Sequence, residues 1–358
     1  MKKLLFIFLI LGCLNEQIFA CTSFIIKAKD GTVVKARSNE FSISANSNII
    51  AVSKGYKFVG TLPDGGVGLQ WETKYNFLGL DGFGLPMVGD GVNERGLTFS
   101  GLMFRASTSF EKHDPKDNSK ILAPWEVGTW ILSICATIDD VIVNLKKIKI
   151  VSSICKSVGK EFPFHYFVVD KTGRSVVIEP KDGVIKVFEN PVGVATNAPS
   201  FDWHLINLQN YMNVTAKDAE SMMLGDLKIT PFSTASGMRG LPGDWTSPSR
   251  FVRAAFLKTW ALPVENSEEA VLNAIRLLNT FFITKGMTYG IQDGKTVFEY
   301  TQWETFTDLK NLKIYYRTYN DMNIKVVDLK KIKFVKGTIK RFPIEDKIHF
   351  EDVSSRLI

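Results

Sequence analysis

Phe19-Ala20-Cys21-Thr22 is the stretch on which this chain turns, because it marks where the globular sequence begins. Ahead of it, Lys2-Lys3 and the apolar run Leu4 to Leu11 (LLFIFLIL) have the order of a secretory leader. Ala20 stands at the last position before a cut and Ile18 two before that. Eight apolar residues fall far short of the roughly 20 needed to cross a bilayer. Removal of residues 1–20 would leave one domain, 21–358, whose first residue is a cysteine. A second cut competes with it. Leu9-Ile10-Leu11-Gly12-Cys13 resembles a lipoprotein box, and a cut there would lipidate Cys13 and keep the nitrogen of Cys21 in a peptide bond. Either cut implies export, and the Ala20–Cys21 cut implies a periplasmic or secreted protein.

Outward from that point the chain reads as strands, helices, strands, helices, strands. Thr22 to Ala28 and Thr32 to Ser38 are strand patterns around the turn Lys29-Asp30-Gly31, so Arg37 comes back beside Cys21. Asn48 to Val52 is a third strand. Pro63-Asp64-Gly65-Gly66 is a turn, and Leu78 to Gly91 is a glycine-rich region leading to a turn at Gly91 to Leu97. Thr98 to Phe104 is a strand, and Pro124 to Ile150 has the periodicity of one or two helices broken near Thr137-Ile138-Asp139. Phe164 to Asp170, Ser175 to Glu179 and Val184 to Glu189 form a meander, followed by a short strand at Val192 to Asn197. Helices are expected over His204 to Met212, Ser249 to Trp260 and Asn266 to Ile283, the last with Asn266 and Glu269 as a capping box. Strands return at Thr296 to Trp303, Leu312 to Tyr319 and Ile324 to Leu329. Antiparallel meanders interrupted by helix pairs predict an α+β fold of two sheets with helices outside.

Composition narrows the chemistry. The formal charge is +7 and becomes +6 without residues 1–20, part of it in Lys330, Lys331, Lys333, Lys336 and Lys340. That run lacks interleaved stacking aromatics and reads as a lysine-guarded strand edge, so no nucleic-acid partner is expected. No stretch is long and apolar enough for a stable membrane span. There is no CxxC, no HExxH and no ligand cluster, so neither metal nor cofactor is expected. Cys21, Cys135 and Cys155 remain after the cut, an odd number for an exported chain. Cys135 and Cys155 are either a disulfide or two buried thiols.

A leading cysteine carries a thiol and an α-amine on adjacent atoms, with ordinary pKa values near 8.5 and about 8. The amine can take the thiol proton. An arginine beside the thiol favours the thiolate. Attack on an amide then needs fixed donors for the oxyanion, an acid to orient the amine and no metal. Arg37 and Glu40 follow closely in Arg37-Ser38-Asn39-Glu40. Asn197 ends a strand in Thr196-Asn197-Ala198-Pro199, and Arg250 opens a helix in Ser247-Pro248-Ser249-Arg250-Phe251. Each alone is ordinary: a surface arginine, a turn, a buried cysteine.

Together these segments resemble the choloylglycine hydrolase family of bile salt hydrolases and penicillin V acylases. The likeness rests on Cys21-Thr22, Asp30-Gly31, Arg37 to Glu40, Asp90-Gly91-Val92-Asn93-Glu94-Arg95-Gly96-Leu97, Thr196-Asn197-Ala198-Pro199-Ser200-Phe201-Asp202-Trp203-His204 and Gly240 to Phe251, in the family's order. It implies an N-terminal nucleophile hydrolase with four αββα layers, cleavage of a linear amide through an acyl-enzyme, and a homotetramer. By the resemblance Cys21 is the nucleophile and its amine the base. Arg37 and Arg250 are the active-site arginines, Asn197 the oxyanion donor and Glu40 the acid that holds the amine. Glu40 stands where the best-known members have aspartate, one methylene shorter. Met103 stands where bile salt hydrolases tend to have asparagine and penicillin V acylases tyrosine, and it brings no donor. Phe41, Met87, Met103 and Phe104 are candidates for an apolar acyl pocket. The substrate class stays open among bile salts, penicillin V and other N-acyl amides such as acyl homoserine lactones. A Cys–His hydrolase using His165 or His204, and an exported binding protein without activity, are the alternatives.

Overall fold

The computed structural model describes residues 20–105, 107–292 and 294–357. The leader pattern and Cys13 lie outside the described residues. The opening hairpin joins β1 (Cys21–Lys27) to β2 (Val33–Phe41). Gly31 sits in its turn at φ +82, a conformation that glycine adopts freely. Next come β3 (Asn48–Val52), β4 (Phe77–Gly82), β5 (Leu85–Asn93) and β6 (Thr98–Met103). Helices α1 (Val127–Ile134) and α2 (Ile138–Leu145) separate these from the meander β7 (Phe164–Val169), β8 (Ser175–Lys181) and β9 (Val184–Glu189). After β10 (Val194–Ala195) come α3 (Phe201–Asn207), α4 (Ser247–Trp260) and α5 (Ser267–Leu278). The chain closes with β11 (Thr288–Gln292), β12 (Lys295–Asp308), β13 (Lys313–Thr318), β14 (Lys325–Asp328) and β15 (Ile339–Pro343).

Two antiparallel sheets result. One has the order β10-β1-β2-β12-β13-β14, with β11 also on β12; the other runs β9-β8-β7-β6-β5-β4-β3-β15. Strand alternation sorts their side chains into layers. Phe167 and Val169 of β7 join the core that includes Phe306 and Leu102, whereas Tyr166 and Val168 join the core under Trp130, Ile131 and Val141 of α1 and α2. On the other side Phe251, Ala254, Val271 and Ala274 of α4 and α5 share a core with Phe24, Val34 and Ala36. The molecule is therefore a four-layer αββα sandwich, the architecture that the resemblance implies.

Several elements differ from expectation. The glycine-rich region is two strands, β4 and β5, because glycine lets them come close. A Cβ on Gly79 would lie 2.6 Å from the carbonyl oxygen of Asp90, and one on Gly91 2.7 Å from that of Leu78. The turn expected at Gly91 to Leu97 is confined to its second half, since β5 runs to Asn93. The helix expected from His204 starts at Phe201, whose nitrogen donates to buried Glu179 Oε1 at 2.8 Å. It gives way to a 3₁₀ turn at Leu208–Tyr211. Asn266 does cap α5 by accepting from Glu269 N, but the carboxylate of Glu269 turns back to Glu265 N rather than to Asn266 N, so the box is displaced by one residue. Cys135 and Cys155 are two separate buried thiols.

Between the sheets lies a charged layer. Lys35 and Asp90 are both fully buried and paired, and Asp90 also accepts from Ser100 Oγ at 2.6 Å and Thr305 Oγ1 at 2.7 Å. Removing one member of a buried pair strands the other charge, at a cost of about 3–5 kcal/mol. Asp90→Asn should lower stability by about that amount in urea unfolding, and Lys35→Met combined with Asp90→Leu should recover most of it. An Asp90→Asn protein as stable as the parent would refute the pairing.

His204, 2% exposed, stacks on Phe251 at 4.6 Å between ring centres. Burial holds its imidazole down to about 4. An unfolded histidine titrates near 6.5, so between about 6.5 and 4 the unfolded chain binds a proton that the folded chain does not. Stability is then lost as pH falls through that window. The drop in unfolding free energy from pH 7 to pH 5 should be smaller in His204→Gln than in the parent; parallel drops would exclude a neutral buried His204.

Candidate active site

β1 begins at Cys21, which pairs across the hairpin with Asn39. On β2 the side chains alternate, so Arg37, Asn39 and Phe41 share one face and Ser38 and Glu40 the other. The thiol side of Cys21 faces the first set: Cys21, Arg37, Asn39, Phe41, Met87 and Met103 line one pocket. Arg37 is 2% exposed. It is held by the carbonyl oxygens of Gly89 and Gly101, the latter at 2.6 Å, and by Asn39 Oδ1 at 3.2 Å, and it lies 5.1 Å from the ring centre of Trp303. Both glycine carbonyls come from the opposite sheet, so the packing of the two sheets sets where this charge stands.

Along the edge of β1 the chain leaving β10 brings in Asn197. Its Oδ1 accepts from Cys21 N at 2.8 Å and from Arg250 Nη2 at 2.6 Å, and its Nδ2 donates to the carbonyl oxygen of Met103 at 2.8 Å. Two donors on one end and an acceptor on the other fix which way the amide points. Arg250 also donates to the Cys21 carbonyl and to Thr22 Oγ1, while its Nε is anchored on Trp245 O at 2.8 Å. Ser247, which opens α4, accepts from Asn197 N at 2.9 Å, so the start of this helix positions both Asn197 and Arg250.

The carboxylates lie on the other face. Glu40 Oε1 accepts from Thr301 Oγ1 at 2.8 Å. Burial pushes Glu40 up to about 7 against the pull of Arg250. Glu299 of β12, which sequence reasoning missed, accepts from the nitrogen of Ala20 at 2.5 Å, and burial pushes it up to about 8. The Cys21 thiol is also raised by its burial, with Arg37 opposing. A thiol held above its usual range is not a thiolate at rest and needs a base in contact with it.

The structure brings together Cys21, Arg37, Asn197 and Arg250, with Glu40 across the strand from the thiol. Phe41, Met87 and Met103 line the pocket. Phe104 does not: the strand ends before it, and its buried ring stacks on His165 at 4.4 Å. Phe83, Phe164 and Trp303 line the pocket and were not read from sequence. They come from three separate strands or loops, so no local pattern signals them, whereas Asn39 could have been found from the two-residue period that links it to Arg37. The open volume among these side chains is about 40 Å³. His165 Nε2 bonds to Thr196 O and His204 Nε2 to Asn197 O, both at 2.9 Å, so each is engaged with backbone rather than with Cys21. Among the described residues no group of three or more His, Cys, Asp or Glu side chains is placed to hold a metal.

Residues 21–341 match the linear amide C–N hydrolases, choloylglycine hydrolase family. A bile salt hydrolase/transferase of Clostridium perfringens is 28% identical over 93% of this chain and 100% of its own. A penicillin V acylase of Pectobacterium atrosepticum is 26% identical over 88% of this chain and 82% of its own. The crystal structure of a conjugated bile acid hydrolase variant from Clostridium perfringens superposes with a TM-score of 0.81 at 28% identity, covering 93% of this chain and 99% of that one. With a match across nearly all of 21–358 and an αββα sandwich built around Cys21, the chain belongs to the choloylglycine hydrolase family and is an amidohydrolase of linear carbon–nitrogen bonds.

Proposed function

We propose that this protein is exported, loses residues 1–20, and cleaves N-acyl amides with Cys21 as an N-terminal nucleophile. One observation carries the proposal. The nitrogen of Cys21 rests on Asn197 Oδ1 at 2.8 Å while its thiol shares a pocket with Arg37. Once freed, that nitrogen is an amine beside a thiol that burial keeps protonated. The amine takes the proton from Sγ, and the thiolate, facing Arg37, attacks the substrate carbonyl carbon. The oxyanion is met by Asn197 Nδ2. The proton then passes from the ammonium to the leaving amine, and water hydrolyses the acyl-enzyme with the same nitrogen as base. Arg250 holds Asn197 and the Cys21 carbonyl in place throughout. That the family match begins at Cys21 supports the cut.

The acyl group is apolar, because Phe41, Phe83, Met87, Met103, Phe164 and Trp303 face it. Relatives named as bile salt hydrolases and as a penicillin V acylase make conjugated bile salts and penicillin V the first candidates. The narrow space between Phe41 and Phe83, whose ring centres are 5.5 Å apart, favours a flat or slender acyl group until those rings move. Glycine- and taurine-conjugated bile salts, penicillin V and N-acyl homoserine lactones form the panel, with the intact mass of the exported protein recorded alongside. Cys21→Ala should fold and lose turnover on every substrate that the parent cleaves. Asn197→Ala should lower kcat about 10²–10³-fold with little change in KM. Retained turnover in Cys21→Ala, or a parent that binds panel members and cleaves none, would favour a non-catalytic binding protein.

Copies of the chain associate, in the homotetramer that family resemblance implies. Support comes from the hairpin formed by Met222–Leu224 and Leu227–Ile229, where every residue is exposed, and from Phe232 beside it, which is fully exposed. An apolar projection of this kind marks an interaction surface. Sedimentation of the parent should give a multiple of the chain mass, and Met223→Glu with Leu227→Glu should reduce it; a monomeric parent would end the proposal.

A further inference from the structure

Glu299 has no part in the mechanism above. It is 3% exposed, its Oε1 takes the nitrogen of Ala20, and its Oε2 makes no hydrogen bond. Glu40, which resemblance matches to the amine, spends Oε1 on Thr301, and its Oε2 is also buried without a partner. No hydrogen bond joins the Glu40 carboxylate to Ala20 or Cys21 among the described residues; the carboxylate that reaches the chain at this junction is Glu299. Successive backbone nitrogens lie within about 4 Å of each other. Oε1 of Glu299 is therefore within about 6.5 Å of Cys21 N.

An α-ammonium has three N–H groups to satisfy. Asn197 Oδ1 already takes one. Glu299 and Thr301 stand two residues apart on β12, so their side chains share the face that carries Glu40. Glu304, further along β12, is engaged by Arg317. The charges bearing on the amine are thus Glu40 and, on the opposite face, Arg37 from β2, Glu299 and Glu304 from β12, Arg250 from α4, and the thiol of β1. Two buried carboxylates with an unfilled oxygen each are costly beside one arginine already bonded elsewhere. An ammonium between them supplies the missing donors.

We propose that Glu299 is a positioning residue for the α-amine of Cys21, holding it together with Glu40 once Ala20 has gone. This rests on the cut proposed above. Loss of Ala20 frees Oε1 and clears the space between it and Cys21 N, and the carboxylate passes from an amide donor to the ammonium one residue on. The neutral amine receives the Sγ proton in the plane of the sheet and becomes the ammonium, with the carboxylates on one face and the thiolate and Arg37 on the other.

The test compares the full chain, produced through a secretory route, with Glu299→Gln and Glu299→Asp. Intact mass reads the N-terminus, and the pH profile of kcat/KM on the best panel substrate reads the amine. A carboxylate beside an ammonium raises its pKa, so removing the charge lowers it and moves the acid limb to lower pH. Parent and Glu299→Gln are both expected to begin at Cys21. The glutamine variant should lose about tenfold or more in kcat with KM within about threefold, and its acid limb should move down by about half a pH unit or more. Glu299→Asp should restore part of both. If the glutamine variant does not accumulate, Glu299→Asp carries the test, with a loss of kcat at unchanged KM expected and the parent's kcat overturning the proposal. A glutamine variant that begins at Cys21 with the parent's kcat and acid limb overturns the amine role while leaving the cut intact. One that accumulates with Ala20 attached overturns it too, because Glu299 would then act on the uncut chain. A parent that keeps Ala20 and still turns over substrate overturns both this proposal and the one beneath it.

Discussion

A carboxylate with no path to solvent has to be matched where it lies, and the two sheets meet around one that is. Asp90 of the second sheet receives Lys35 and Thr305 from the first sheet and Ser100 from its own. Arg37 stands 3.8 Å away, two residues along β2 from Lys35 and on the same face. The Gly89 carbonyl that holds Arg37 belongs to the residue before Asp90. Any sliding of one sheet over the other would therefore strand a lysine and an aspartate and would also take the arginine away from the thiol. Non-directional packing between Val92, Leu102 and Phe306 tolerates small shifts; the ionic layer does not.

The same alternation that builds the sheets divides the site. Odd-numbered positions of β2 carry Lys35, Arg37 and Asn39 inward, and even-numbered positions carry Ser38 and Glu40 outward to Thr301 and the helix layer. Under the proposed mechanism, the nucleophile at the head of the neighbouring strand has a cation on its side-chain face and carboxylates on the other, with its nitrogen between them. Electrostatically this suits a thiolate and an ammonium formed together. Each charge of the pair is drawn to its own side, and the separation costs less than it would in a uniformly apolar cavity. The raised thiol is the resting side of the same arrangement: burial disfavours the thiolate until a proton acceptor stands next to it.

Part of this was legible in the sequence, where it is local or lies in a recognisable segment. The hairpin turn at Lys29-Asp30-Gly31 and the two-residue period bring Arg37 beside Cys21, and the segments around Asn197 and Arg250 are long enough to recognise. What was not legible depends on pairs far apart in the chain. Glu299 is separated from Ala20 by 279 residues and meets it only because β12 lies beside β2. Phe83 and Trp303 reach the pocket by way of different strands. The strand β5 was hidden because its glycines lower strand propensity, and only the close approach of Gly79 and Gly91 explains them. Phe104 failed in the opposite sense: apolar and adjacent to Met103, it belongs to the pocket by sequence distance, and the end of β6 directs it to His165 instead.

In the proposed mechanism the backbone of Met103 shapes the oxyanion site although its side chain brings no donor. Its carbonyl oxygen is the acceptor that Asn197 Nδ2 meets at 2.8 Å, and the amide cannot turn over because Cys21 N and Arg250 occupy its other end. Under the proposed mechanism, an incoming substrate oxygen competes with that carbonyl for a donor whose direction is already set. A neutral amide oxygen gains little by the exchange, since one carbonyl replaces another. An oxyanion gains more, because hydrogen bonds to ionised acceptors are roughly twice as strong as neutral ones. The displaced carbonyl thus makes Asn197 discriminate between ground state and transition state, which is the difference that raises kcat. An asparagine at position 103 would add a second donor; methionine leaves the discrimination to Asn197 alone on that side, and makes the fixed orientation imposed by Arg250 correspondingly more important.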